Sequence, residues 1–310
     1  MRKQSVTIWL MVGVLCMSSS QVMGWIQYND GGTYDINTTI DDDVWVDFQT
    51  PGMYTTVNLL TGGAIGSSYD LQAHEDSIIN VSGGLISDNL YAYDNSQVNL
   101  FSGSIGNDLY AYDNSQVNIS GGSIDGSVDT EYCHVDIFGG SISRSVYAYD
   151  NQVNISGGFI GREAYADGNY GQIDISGGSI GGVRAHGKGH VNIFSGSIGA
   201  VRTSYHGNVD IFGGSIDSDL LLSESSILSI YGSDFAIDDI PVDYGNITSI
   251  LGGNYLNEPS RTLTGILASG ELLDSNFYIG HDASIILNPV PEPATLLLLG
   301  IGSFFLRRKR

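Results

Sequence analysis

Residues 135–153 read VDIFGGSISRSVYAYDNQV. Val135 and Ile137 flank Asp136, Gly139-Gly140 follow, and Ile142 comes next. Val146 and Ala148 then alternate with Tyr147 and Tyr149, and Asp150-Asn151 lead back to Val153. The apolar positions are spaced 2, 5, 4, 2 and 5 residues apart. Alternation at two residues marks short strands with one face turned inward, and no 3.6-residue pattern competes with it. The glycine pair and the Asp-Asn step mark bends, because these residues tolerate positive φ.

The same unit recurs as INVSGGLI, VNLFSGSI, VNISGGSI, VDIFGGSI, VNISGGFI, IDISGGSI, VNIFSGSI and again VDIFGGSI. The third residue of each falls at Val81, Leu100, Ile119, Ile137, Ile155, Ile175, Ile193 and Ile211. Weaker copies place Ile230 at the end and Leu60 at the start, for ten copies over residues 57–235. A period near 20 signals a solenoid. The pattern predicts an all-β fold, a single-stranded parallel β-helix (β-solenoid) of about ten coils, each 18–20 residues long with three short strands. Stacked at about 4.8 Å, ten coils make a rod roughly 50 Å long. A lone coil cannot bury its apolar residues, but a stack can, as ladders of like side chains. One such ladder runs Val98, Val117, Val135, Val153, Ile173, Val191, Val209. The small inner residues Ala92, Ala111, Ala148, Ala166 and Ala185 leave little room, which predicts a lumen closed to ligands.

The open ends of such a stack expose strand edges and call for caps. Residues 25–56, with Val44, Val46 and Phe48 alternating, are assigned as the N-terminal cap. Residues 236–288, with turns at Ser269-Gly270 and Gly280-His281, are assigned as the C-terminal cap.

The chain has 310 residues and a formal charge of −22. Residues 25–290 carry 33 acidic and six basic side chains, a net of −27, which repels phosphate backbones and argues against nucleic acid as a partner. Arg2-Lys3, the apolar run Val6–Met17 and a Ser-rich stretch have the order of a secretory signal over residues 1–24, with Val22-Met23-Gly24 as the cleavage region. Cys16 lies within it, and Leu15 is too bulky for a lipoprotein box. Cys133 is then the one cysteine left, so no internal disulfide is expected.

The chain ends NPVPEPATLLLLGIGSFFLRRKR. Ala294–Leu306 is apolar or small, and a helix of that length, about 20 Å, falls short of a ~30 Å hydrocarbon core. The basic cluster behind it favours a cytoplasmic C-terminus. The order Pro-Glu-Pro, short apolar helix, basic cluster closely resembles the PEP-CTERM sorting signal of Gram-negative bacteria, also known as an ice-binding protein C-terminal domain. The resemblance covers residues 289–310 and rests on Val290, Pro291, Glu292 and Pro293 with Arg307, Arg308, Lys309 and Arg310. It implies export, an exosortase-type processing enzyme as partner, transient anchoring in the inner membrane through the tail, and release or attachment at the cell surface. Such proteins are associated with extracellular polysaccharide and biofilm, and similar end segments occur in members with β-helical bodies.

Two outward rows are candidates for function. The first runs Asn80, Asn99, Asn118, Asp136, Asn154, Asp174, Asn192, Asp210. Stacked amides can hydrogen-bond along the rod, and alternation keeps carboxylates two coils apart. The competing reading is a row of calcium ligands, although the Gly-Gly-x-Gly-x-Asp rhythm of calcium β-rolls is missing. The second row runs Tyr91, Tyr110, Asp129, Tyr147, Tyr165, Arg184, Arg202 beside Tyr93, Tyr112, Glu131, Tyr149, Asp167, His186. Read as exposed, these tyrosines either stack to stiffen the rod or form a sugar platform on Tyr91, Tyr93, Tyr110, Tyr112, Tyr147 and Tyr149, with Asp94, Asp113 and Asp150 accepting hydroxyl protons.

Signals for catalysis are weak. Pectate-lyase-type β-helices, the nearest enzymatic resemblance, build clefts from long loops, and the turns here are minimal. Arg184 and Arg202, with Lys188 nearby, read as balancing charge; His186, His190 and His206 read as exposed loop residues, and Asp41-Asp42-Asp43 as a solvated turn. Threonines are scattered without a period, so no ice-binding face is expected. The sequence therefore points to an exported β-solenoid with a structural or adhesive role and neither cofactor, metal nor catalysis. The alternative is a carbohydrate-binding or polysaccharide-degrading β-helix.

Overall fold

The computed structural model describes residues 25–248, 261–280 and 282–290. The signal segment 1–24, the apolar tail, and the sorting-signal residues Pro291, Glu292, Pro293, Arg307, Arg308, Lys309 and Arg310 lie outside the described residues, as does His281 of the expected second turn. No helix among the described residues is long and apolar enough to cross a membrane.

The chain winds as a single-stranded parallel β-solenoid of about eleven turns with three faces. On the first face, Gln116–Ile119 lies beside His134–Ile137, which lies beside Gln152–Ile155. Val117, Val135 and Val153 are register partners there, as are Ile119, Ile137 and Ile155. All six are buried, and the valine ladder continues through Ile173 and Val191 to Val209. The second face is a column of two-residue strands such as Ser123–Ile124 and Ser141–Ile142, each turning its isoleucine inward. The third stacks Leu109–Tyr112, Val128–Glu131 and Val146–Tyr149, with Ala111, Thr130 and Ala148 inside. Period-two alternation thus becomes a filled lumen, and each fully buried Ile, Leu or Val stabilises it by roughly 1.5–3 kcal/mol.

The bends follow from local chemistry. Gly140 has φ of +86°, and a Cβ there would stand 2.9 Å from the Gly121 carbonyl oxygen of the coil below. Only glycine satisfies both demands. At the return corner Asp94, Asp113 and Asp150 adopt φ of +59°, +56° and +53°, a conformation Asp tolerates better than most residues.

One register assignment needs correction. Leu59, not Leu60, is the partner of Val81 and is buried, while Leu60 faces both Ser82 and Gly83 across a bulge. The first coil holds an extra residue at its corner, which a fixed count back along the repeat passes over.

The stack also begins earlier than the repeat pattern does. Thr33–Ile36 pairs in parallel with Thr56–Leu60, and Asp43–Val46 with Leu71–Ala73, so residues before 57 add a coil. At the other end Ile227–Ile237 runs on past its coil and pairs antiparallel with Arg261–Leu267. That strand turns at Ser269-Gly270, where Gly270 has φ of +99°, into Leu272–Ile279. The chain then rejoins the solenoid, Phe277–Ile279 pairing in parallel with Leu220–Leu222 and Ser284–Pro289 with Ile227 onward.

Candidate functional site

Outward side chains follow the same register as inward ones, so every exposed row is a column with one residue per coil. On the first face the asparagine row is hydrogen-bonded from coil to coil between Asn58 and Asn118, and in separate Asn–Asp pairs beyond it. Asn80 Nδ2 donates to Asn58 Oδ1 at 2.9 Å, Asn99 to Asn80 at 2.9 Å and Asn118 to Asn99 at 3.0 Å. Where acids alternate, Asn154 donates to Asp136 at 2.8 Å and Asn192 to Asp174 at 2.7 Å. A parallel Gln/His column supplies more donors: Gln152 and Gln172 reach Asp174, and His134 and His190 reach Asp136 and Asp210. The bond that His190 makes to the Asp210 carboxylate raises the pKa of its imidazole above the ordinary value. His190 opens a first-face strand and is built into the ladder, which corrects its reading as an exposed loop residue; His186 lies in a loop, but half-buried and bonded to Asp167. No group of three or more His, Cys, Asp or Glu is arranged to hold a metal among the described residues.

Asp43, read as part of a solvated turn, starts another ladder. Its Oδ1 accepts the Asp70 amide at 2.8 Å, Asp70 accepts Asn89 N, Asn89 accepts Asp108 N, and Asp108 accepts Ser127 N. This column ties successive coils together at the corner between the second and third faces.

The tyrosines occupy the third face in the predicted order, but their exposure differs from the expectation. Tyr91 and Tyr110 stack with centroids 4.9 Å apart and planes at 12°, and Tyr93 and Tyr112 at 5.8 Å and 22°. Ring faces therefore cover one another. Tyr91, Tyr93, Tyr110, Tyr112 and Tyr147 are half-buried, and Tyr149, at 37%, is the most open of the six. Burial, aided by neighbouring acids, pushes the Tyr110 and Tyr112 phenols up to about 12, and Tyr91 moves the same way. The strip extends beyond the repeats: His74 stacks on Tyr93 at 5.0 Å, and Phe48, Trp45 and Trp25 continue it to the end of the rod. It breaks where Asp129 and Glu131 replace tyrosines, between the pairs Tyr110/Tyr112 and Tyr147/Tyr149. Burial, with Asp108 nearby, pushes the Asp129 carboxyl up to about 6. Above the break Tyr165 turns edge-on to Tyr147, and the Arg184 guanidinium sits 5.3 Å over the Tyr165 ring.

A second set of exposed aromatic rings in the repeats lies elsewhere. Phe101, Phe138 and Phe194 stand at the glycine corner between the first and second faces, Phe138 at 57% exposure, and Phe159 opens a second-face strand just after it. Phe212 stacks on Phe194 at 5.1 Å, and Tyr231 on Phe212 at 4.2 Å. The signal was present in the repeat, in the residue before each Ser-Gly or Gly-Gly pair of FSG and FGG. It was passed over because that position alternates with serine and looks like part of the turn.

These surfaces define a class before any comparison: an acidic, all-β parallel solenoid whose outward side chains form columns along the stack. Residues 289–310 match the PEP-CTERM protein-sorting motif. No curated protein and no solved structure matches the chain. The chain is thus an exported, PEP-CTERM-sorted β-solenoid protein, and the motif implies processing by an exosortase. Val290, the one signature residue among those described, is exposed.

Proposed function

We propose that this protein is a non-catalytic scaffold at the cell surface or in the extracellular matrix, with a structural or adhesive role. The observation that carries this reading is the parallel pairing of first-face strands on every coil from Thr33 to Ile230, with buried aliphatic residues superposed from Val57 onward and only short turns between them. A rigid rod displaying repeated columns suits multivalent contact more than the convergence of a few groups on one reacting atom. The apolar tail, ending in Arg307–Arg310, would hold the chain in the inner membrane of a Gram-negative cell until an exosortase acts at Val290–Pro293. The test is incubation of the mature chain with a panel of extracellular polysaccharides, scored for new reducing ends or unsaturated products. None is expected, and measurable turnover would replace the scaffold with an enzyme.

A second reading assigns glycan binding to the tyrosine strip. It is favoured by the break at Asp129 and Glu131, where two carboxylates lie between tyrosine pairs and can accept sugar hydroxyls. A glycan array with Tyr110→Ala and Tyr147→Ala variants tests it. A signal lost in both variants supports the strip, and an array that the variants leave unchanged removes it.

A further inference from the structure

The six basic residues of the body are not spread among its 33 acids. Arg144, Arg162, Arg184 and Arg202 fall one per coil on four successive coils, at the corner between the second and third faces and along the adjoining third face. Arg144 and Arg162 follow each other at the corner, the Arg162 amide donating to the Arg144 carbonyl at 3.0 Å. Arg184 and Arg202 are register partners.

Between them lies a depression of about 360 Å³ bordered by Arg162, Arg202, Glu163 and Tyr147, with Gly161 and Gly181 leaving its floor bare. Arg202 crosses Gly182, where a Cβ would come within 3.4 Å of Nη1, and donates to Glu163 Oε1 at 2.7 Å. Glycine at 182 puts no side chain in that path. Asp219 is engaged by Asn276, while Asp129, the register partner of Tyr147, lies one coil below the depression. Arg144 and Arg162 are exposed and make no ion pair among the described residues.

Unpaired arginines on so acidic a surface mark a local anion site. At physiological salt, fields are screened beyond roughly 8 Å, so a ligand here senses Arg162 and Arg202, with Glu163 between them, before the acids of the other faces. Guanidinium forks match carboxylates in a bidentate geometry that ammonium groups do not offer. The Tyr147 ring in the same wall offers an apolar face, as a sugar requires and a bare anion does not.

We propose that this depression binds a carboxylated sugar, one hexuronate unit of an acidic polysaccharide, with its carboxylate between Arg162 and Arg202 and its ring against Tyr147. The site is distinct from the scaffold role, which a negative result here would leave standing.

Calorimetric titration of the mature chain in 0.15 M salt tests it, using oligogalacturonate and oligoguluronate tetramers, a neutral cello-oligosaccharide and inorganic phosphate. At least one uronate tetramer should bind and the neutral one should not. Arg162→Ala should weaken that binding about tenfold or more, and Arg162→Lys by an intermediate factor. Lys188→Ala, which removes the same charge from a position outside the depression, should stay within about twofold. Tyr147→Leu should weaken the uronate while leaving phosphate unchanged. Failure of both tetramers to bind at millimolar concentration, or equal binding to Arg162→Ala, overturns the proposal. Binding that phosphate matches and Tyr147→Leu ignores overturns the sugar assignment in favour of a general anion site. Melting curves superposable on the parent's confirm that exposed Arg162 can be changed without loss of fold.

Discussion

Ile137→Ala is the sharpest test of the stacked lumen. Ile137 is 1% exposed and sits between Ile119 and Ile155 on adjacent coils. The substitution removes three carbons, worth roughly 2.4 kcal/mol of transfer free energy at about 0.8 per carbon. The cavity left behind adds to this, because coils above and below are pinned by their own ladders and relax little; the total should be about 3–4 kcal/mol. In urea, with a slope near 3 kcal/mol/M, the far-UV transition midpoint should fall by roughly 1 M. Tryptophan fluorescence adds a spatial readout, since Trp25 and Trp45 stack at 4.5 Å at the beginning of the rod, several coils from the lesion. Nearest-neighbour coupling between coils predicts that the tryptophan midpoint moves less than the far-UV midpoint. A loss below about 0.5 kcal/mol would mean that Ile137 does not fill a closed interior, and the ladder argument would fail.

Asn154→Asp should place three carboxylates, at positions 136, 154 and 174, on consecutive rungs and remove the 2.8 Å bond to Asp136; we expect a loss of about 1–3 kcal/mol at low salt, partly restored in 0.5 M NaCl, measured by thermal melts. Asp129, pushed up to about 6, binds its proton more tightly folded than unfolded, so its penalty is absent below about pH 4 and complete above about pH 6. Asp129→Asn should therefore stabilise the chain at pH 8 and give little at pH 4, and an equal effect at both would contradict the assigned burial. Burial pushes the Cys133 thiol up to about 11, leaving about a thousandth as thiolate at pH 8, so iodoacetamide should label it only after unfolding; rapid labelling of the native chain would count against that burial.

The lumen was legible because its requirement is strictly periodic. Val135, Ile137, Ile142 and Val146 each recur at one position of a short unit, and only stacking in register hides them all. The assignment slipped at Leu60, where one added residue shifts inside for outside without altering composition. The tyrosine rows were legible as rows, but not the orientation of their rings. Whether Tyr110 shows its face or its edge depends on the side-chain torsions adopted by Tyr91 beneath it, and sequence spacing carries no information about those.

What the sequence determined by itself was the winding, the inward set and the sorting tail, since each is written as local order along the chain. Tertiary structure alone decided which outward groups meet. Arg202 finds Glu163 two coils away, 39 residues apart, across Gly182 on the coil between them. That encounter depends on how long side chains lie across neighbouring coils, a three-dimensional matter on which a one-dimensional repeat is silent.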